Sequence, residues 1–236
     1  MADLVEEIER LLTQCSLGQR RSIFRQLRQE FPIHSLEEQL NTPAEVILEA
    51  IHRAPEITLR GIRGIVAEAE FVTTVVSLLK GLGWQDKEIV GDRPYDVLLG
   101  DDNGDVRIQV KMQRLTKHQP TVRSEYPGMF VVETQRTRSG RRRTSENVQE
   151  KTRPYRFGDF DILAVSLHPS SGRWSDFRYT VATWLLPDKE DHRLLRVFQP
   201  VSPEVNDDWT DDLLQVIGWH RAQQRKTIRV QANAVP

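Results

Sequence analysis

The chain has 236 residues, with 33 Lys and Arg against 34 Asp and Glu and a formal net charge of -1. That length suffices for a real core and predicts one large domain or a domain with a small appendage. No run approaches the roughly 18 consecutive apolar residues of a membrane span, and a single cysteine, Cys15, excludes an internal disulfide and a zinc site built of thiolates.

Residues 3–13 place Leu4, Ile8, Leu11 and Leu12 at helical spacing, and residues 17–31 do the same with Ile23, Phe24, Leu27 and Phe31. The acids Asp3, Glu6, Glu7 and Glu9 are the reverse of a secretory leader, so the expected location is the cytoplasm of a prokaryotic cell. Cys15, ending the first helix, reads as a small buried residue. Pro32 stops the second helix, and Ser35 caps a short turn through Leu40. Thr42-Pro43-Ala44-Glu45 opens a further helix that runs to about Ala54, before Pro55. Residues 1–56 are thus expected to form a helical subdomain without a catalytic constellation of its own.

The next helix spans residues 58–82, with a stripe of Ile62, Ile65, Ala69, Val72, Val76 and Leu79, and ends at Gly81-Leu82-Gly83. The period then changes to two. Strands are expected at 87–90, 95–99, 106–112 and 129–133, with Asp101-Asp102-Asn103-Gly104 as a hairpin turn. Others follow at 161–167, 179–182 and 194–198, and a helix covers 210–223. Residues 135–156 show no hydrophobic period and read as a long loop.

Charge is segregated along the chain. Between Arg107 and Arg156 there are thirteen bases against four acids, a surplus of nine, while the remaining residues carry -10. A basic block in an otherwise acidic chain suits a protein that holds a polyanion at one face, although a solvated surface loop gives the same count. The six histidines are scattered, without zinc spacing, and there is no glycine-rich phosphate loop. A histidine metal centre and a nucleotide cofactor are therefore not expected.

Arg93-Pro94-Tyr95-Asp96 sets an aspartate at the start of an apolar strand. Gln109 and Lys111, two apart on the next strand, leave one sheet face while Ile108, Val110 and Met112 leave the other. An ordinary amphipathic strand explains that alternation equally well. Of the two acids on the preceding helix, Glu68 lies about 60° from a wheel centre at Ile65 and Glu70 about 140°, which favours Glu68.

Proline shortly before an aspartate, a tight acidic turn, a Q-x-K triplet and a preceding helix with an acid near its stripe resemble the PD-(D/E)xK nuclease superfamily over residues 64–111. The resemblance implies an α/β fold, a mixed β-sheet flanked by helices, in a nuclease domain of residues 57–236. It also implies magnesium held by Asp96, Gln109 and Glu68, with Lys111 beside the attacked phosphate. The sequence departs from the pattern by one residue between Pro94 and Asp96, and by an amide at Gln109 where a carboxylate is usual. The segment 152–165 is similar to a stretch of uncharacterised type II restriction endonucleases, with Asp161 in a structural role.

These features together lead to the expectation of a type II restriction endonuclease acting as a homodimer on double-stranded DNA. The DNA contacts expected are Arg114, Lys117, Arg136, Arg138, Arg141, Arg142, Arg143, Arg153, Tyr155 and Arg156. A structure-specific or modification-dependent nuclease, or a DNA-binding protein without catalysis on the same fold, are the alternatives.

Overall fold

The computed structural model describes residues 3–31, 34–136, 141–143, 149–151 and 153–230, and the chain divides into two compact units, Met1–Arg60 and Gly61–Pro236. No described helix is long and apolar enough to cross a membrane.

The first unit contains α1 (Leu4–Gln14), α2 (Leu17–Glu30), α3 (Leu36–Leu40) and α4 (Ala44–His52). Local chemistry sets their ends. The Asp3 carboxylate caps α1 by accepting from the Val5 N–H, and Ser16 with Gln19 forms a capping box at α2. Pro43 sits just outside α4 rather than at its first position, where the Glu37 carboxylate accepts from the Ala44 N–H at 2.7 Å. Arg28 binds that same Glu37 and also Glu45, tying α2 to α3 and α4. None of the described residues in this unit is buried, Cys15 included.

The boundary between the units falls within α5 (Glu56–Glu70), which runs on through a π-helical turn at Phe71–Val76 into α6 (Ser77–Lys80). The buried residues are Ala67, Phe71, Val76 and Leu79, whereas Ile65, the expected centre of the stripe, is 66% exposed. The difference has a physical cause. Steps of four, five and three residues separate the buried positions, and the step of five is the π turn. The Thr73 and Thr74 hydroxyls donate back to carbonyls at Ala69 and Glu70, and Ser77 reaches back five residues to Val72, loosening the regular ladder there.

After this helix come β1 (Gln85–Asp86), β2 (Val97–Asp101), β3 (Gly104–Met112), β4 (Leu115–Thr116), β5 (Gln119–Pro120) and β6 (Phe130–Glu133). Residues 87–90, expected as a strand, are not one. The expected loop at 135–156 holds β7 (Arg141–Arg143) and β8 (Gln149–Lys151), paired antiparallel. Then follow β9 (Ile162–Ser166), α7 (His168–Ser171), β10 (Phe177–Val181), β11 (Phe198–Val201) and α8 (Leu213–Arg221). The strand expected at 194–198 falls instead at β11; Leu194 and Leu195 form only isolated bridges.

The central sheet is five-stranded and mixed, in the order β1-β2-β3-β9-β10, with β3 and β9 parallel and the other pairs antiparallel. Helices flank it: Phe71 packs edge-on against Phe177 and Tyr179 of β10, and α8 buries Leu213, Val216 and Ile217. All five residues of β9 are buried, as a strand in the middle of a covered sheet requires. Arg221 at the end of α8 grips Asp101 in the β2–β3 turn through bonds of 2.8 and 2.5 Å, holding that carboxyl well below the usual range.

A second ion pair joins distant segments across the β3–β9 seam. Arg107 donates to Asp161 from its backbone and from two guanidinium nitrogens, at 2.9, 2.9 and 2.6 Å. Burial pushes the Asp161 carboxyl up, but the bonds from Arg107 outweigh it and the net shift is downward. Asp161→Asn is expected to cost about 2 kcal/mol at neutral pH, less than a fully buried pair because Arg107 is part-exposed. A depressed folded pKa stabilises above the ordinary value of 3.8 and is lost as pH falls through the folded value. Urea denaturation should therefore separate the two proteins at pH 7 and bring them together in strong acid; equal midpoints at pH 7 would refute the role.

Candidate active site

Asp96 stands at the entry to β2, where its N–H donates to the Ile108 carbonyl at 2.9 Å. Continuing the β2–β3 register, in which Val97 faces Ile108, sets Asp96 opposite Gln109 on one sheet face. The Asp96 Oδ2 accepts from the Val110 N–H at 2.9 Å and from the Gln109 Nε2. Gln109 is 1% exposed, and its Nε2 also reaches the Val110 carbonyl at 3.2 Å. Its Oε1 is buried without a hydrogen-bond partner.

Lys111 follows two residues along β3, with Nζ over the Tyr155 ring at 5.6 Å from the centroid. Glu68 comes from α5. Burial pushes the Glu68 carboxyl up, and the Asp96 charge adds to the rise while Lys111 opposes it. Burial also raises Asp96, against the pull of Lys111, of the Val110 N–H and of Gln109. Lys111 is lowered by burial, with Asp96 and Glu68 pulling the other way. Three charged groups from three stretches of chain thus feel one another in a site that penalises the charge of each. Titratable groups perturbed together in one place are a mark of a functional site.

The residues fit a divalent cation of the hard, oxygen-seeking kind. Among the described residues no cluster of three His, Cys, Asp or Glu exists, so the oxygens on offer are two carboxylates and the orphaned Gln109 Oε1. Magnesium needs no more from the protein, since it keeps several waters and takes further oxygens from a phosphate. A buried acceptor without a donor is costly unless something electropositive meets it.

The basic residues divide by surroundings. Arg114 pairs with Glu133 and lies over Phe198, 5.2 Å from the ring. Arg136 pairs with Asp159 at 2.9 Å and stacks over Tyr155 at 5.4 Å. Tyr155 is 4% exposed, packed edge-on against Phe160, so it forms the floor beneath Lys111 and presents no face to a base. Lys117, Arg153 and Arg156 are exposed, Lys117 in the β4–β5 turn. Arg141, Arg142 and Arg143 form β7, and Arg138 lies outside the described residues.

Two supports have no local signal in the sequence. Asp159 accepts from Arg136 and from the Arg156 N–H, fixing the chain on either side of Tyr155. Arg107 and Asp161 lie 54 residues apart, and their partnership follows from the β3–β9 pairing.

No protein-family model matches the chain, and no curated protein does. Among solved structures it is similar to a bacterial homing endonuclease, I-Ssp6803I, with a TM-score of 0.33 and 19% identity, over 73% of this chain and 100% of that one.

Proposed function

We propose that the chain is a magnesium-dependent endonuclease hydrolysing phosphodiester bonds of double-stranded DNA, of the sequence-specific type II restriction kind, acting as a homodimer. The convergence of Glu68, Asp96 and Lys111 carries this reading, together with the unpartnered Gln109 Oε1. Asp96, Glu68 and the Gln109 Oε1 would hold the magnesium ion. When bound, that ion supplies a water of lowered pKa and a counter-charge for the phosphate oxygens.

The chain's own residues do the rest. Lys111 Nζ donates to a non-bridging phosphate oxygen and stabilises the charge that builds up in the pentavalent transition state. Its lowered pKa makes it a readier proton donor than a surface lysine, able to exchange a proton with the attacking water. Tyr155 holds the ammonium from below, and the Val110 N–H fixes the Asp96 carboxylate. Lys117, Arg153 and Arg156, with the arginines of β7, supply phosphate contacts that position the duplex. A two-fold dimer would match the two-fold symmetry of a duplex and cut one strand with each copy.

The test is digestion of unmethylated phage DNA in magnesium and in EDTA, by wild type and by Asp96→Ala. Discrete bands that vanish in EDTA and in the variant are the expected result. A magnesium-dependent smear would replace sequence specificity with a structure-specific or non-specific nuclease. The neutral amide at Gln109, already bonded to Asp96, favours a second reading, a DNA-binding protein without catalysis. Salt-sensitive binding with no cleavage in magnesium would support that reading and overturn the first.

A further inference from the structure

In the first unit the amphipathic helices carry no buried residue among those described. In α1, Leu4, Val5, Ile8 and Leu11 are 78, 58, 56 and 49% exposed, and in α2 Ile23, Phe24 and Leu27 are 37, 60 and 48% exposed. So much apolar surface on one small unit marks an interaction site. Its centre is a groove of about 1250 Å³ lined by Ile23, Phe24 and Leu27 of α2, by Asn41 and Thr42 after α3, and by Pro43. Of α1 only Leu12 lines this groove. The corner between α1 and α2 is held by the Ser16–Gln19 capping box and by Arg20, which donates to the Thr13 and Cys15 carbonyls. The apolar stripe of α1 is thereby left open within its own unit.

We propose that this unit is a self-association module, in which α1 of one copy lies in the groove of a second copy and the second returns the contact about a two-fold axis. Charge selects this occupant. Residues 3–14 carry four acids against one base, while residues 17–30 carry four bases against one acid. On a helical wheel Glu7 and Glu9 flank the α1 stripe on either side. Arg21 and Arg25 are exposed at the α2 rim of the groove. Glu37 and Glu45 at the groove are met by Arg28, which leaves Glu30 and Glu38 on the remaining rim.

The areas also suit. The seven apolar side chains offer on the order of 700 Å² per copy, close to the ~800 Å² per partner of a stable interface. A reciprocal contact of this kind closes at two copies. The inference stands on the first unit alone and does not depend on the nuclease reading.

Sedimentation of the full chain tests it, at about ten micromolar and low salt, where exposed charges are least screened. Wild type should sediment as a two-copy species. Glu7→Arg/Glu9→Arg and Arg21→Glu/Arg25→Glu should each weaken self-association more than tenfold, because each variant brings like charges together. Mixed in equal amounts, the two variants should form a mixed two-copy species, since every contact between them is again of opposite sign. Circular dichroism confirms that each variant is folded, and the rescue on mixing cannot arise from misfolding. A single-copy wild type, association only after duplex DNA is added, variants that still pair with themselves, or no rescue would each overturn the proposal.

Discussion

Lys111→Ala is expected to lower the rate of phosphodiester cleavage about 10³-fold, in the range of losing one preorganised charge or general acid. The effect is large because the lysine has two jobs. It offsets the charges of Asp96 and Glu68 within the protein, and in the proposed mechanism it also faces the phosphate. Without it both carboxyls rise further, since each loses the one cation that opposes burial. Single-turnover cleavage of a short duplex at saturating magnesium isolates the chemical step from product release. Lys111→Met, which keeps most of the volume over Tyr155, should lose the same factor. Cleavage by either variant at the wild-type rate would remove Lys111 from the chemistry.

Gln109→Glu should act in the opposite sense on metal binding and should damage the metal-free protein. At this position a carboxylate replaces the amide that now donates to Asp96, so two buried acids face each other with Glu68 nearby. One uncompensated buried charge costs about 3 kcal/mol. In EDTA the variant should melt several degrees below wild type, and magnesium should raise its melting temperature more than it raises that of wild type, because ligand bound only to the folded state stabilises it. Thermal melts of both proteins across a magnesium series measure this without reference to cleavage. Equal stability in EDTA and an equal response to magnesium would show that Gln109 is remote from any metal position.

The sheet face of the site was legible because it is local. Asp101-Asp102-Asn103-Gly104 does turn β2 into β3, with Gly104 at φ 111° and the Asn103 N–H bonded to the Asp101 carboxylate. Once the hairpin closes, a period of two brings Asp96, Gln109 and Lys111 to one side. Long-range pairing leaves no such trace. The parallel partnership of β3 with β9, and with it the Arg107–Asp161 pair, joins segments that share no local pattern. Tyr155, expected among the DNA contacts beside Arg153 and Arg156, is instead buried, because Asp159 and Phe160 fold it inward. A wheel centred on Ile65 favours Glu68, yet Ile65 is exposed and the buried stripe runs through Ala67 and Phe71. The axis of that wheel is therefore not the axis of the buried stripe.

The reason lies in the π turn at Phe71–Val76. Each residue in an α-helix advances the direction of its side chain by about 100°, so one surplus residue in a turn changes the bearing of everything before it relative to everything after it. With regular winding, seating Val76 and Leu79 would swing Ala67, Phe71 and Glu68 together by roughly that angle. The bearing of Glu68 thus depends on the width of one turn that holds no site residue. A related chain one residue shorter in this turn would reach the same arrangement by regular winding, whereas one that kept the residue count and wound regularly would lose it.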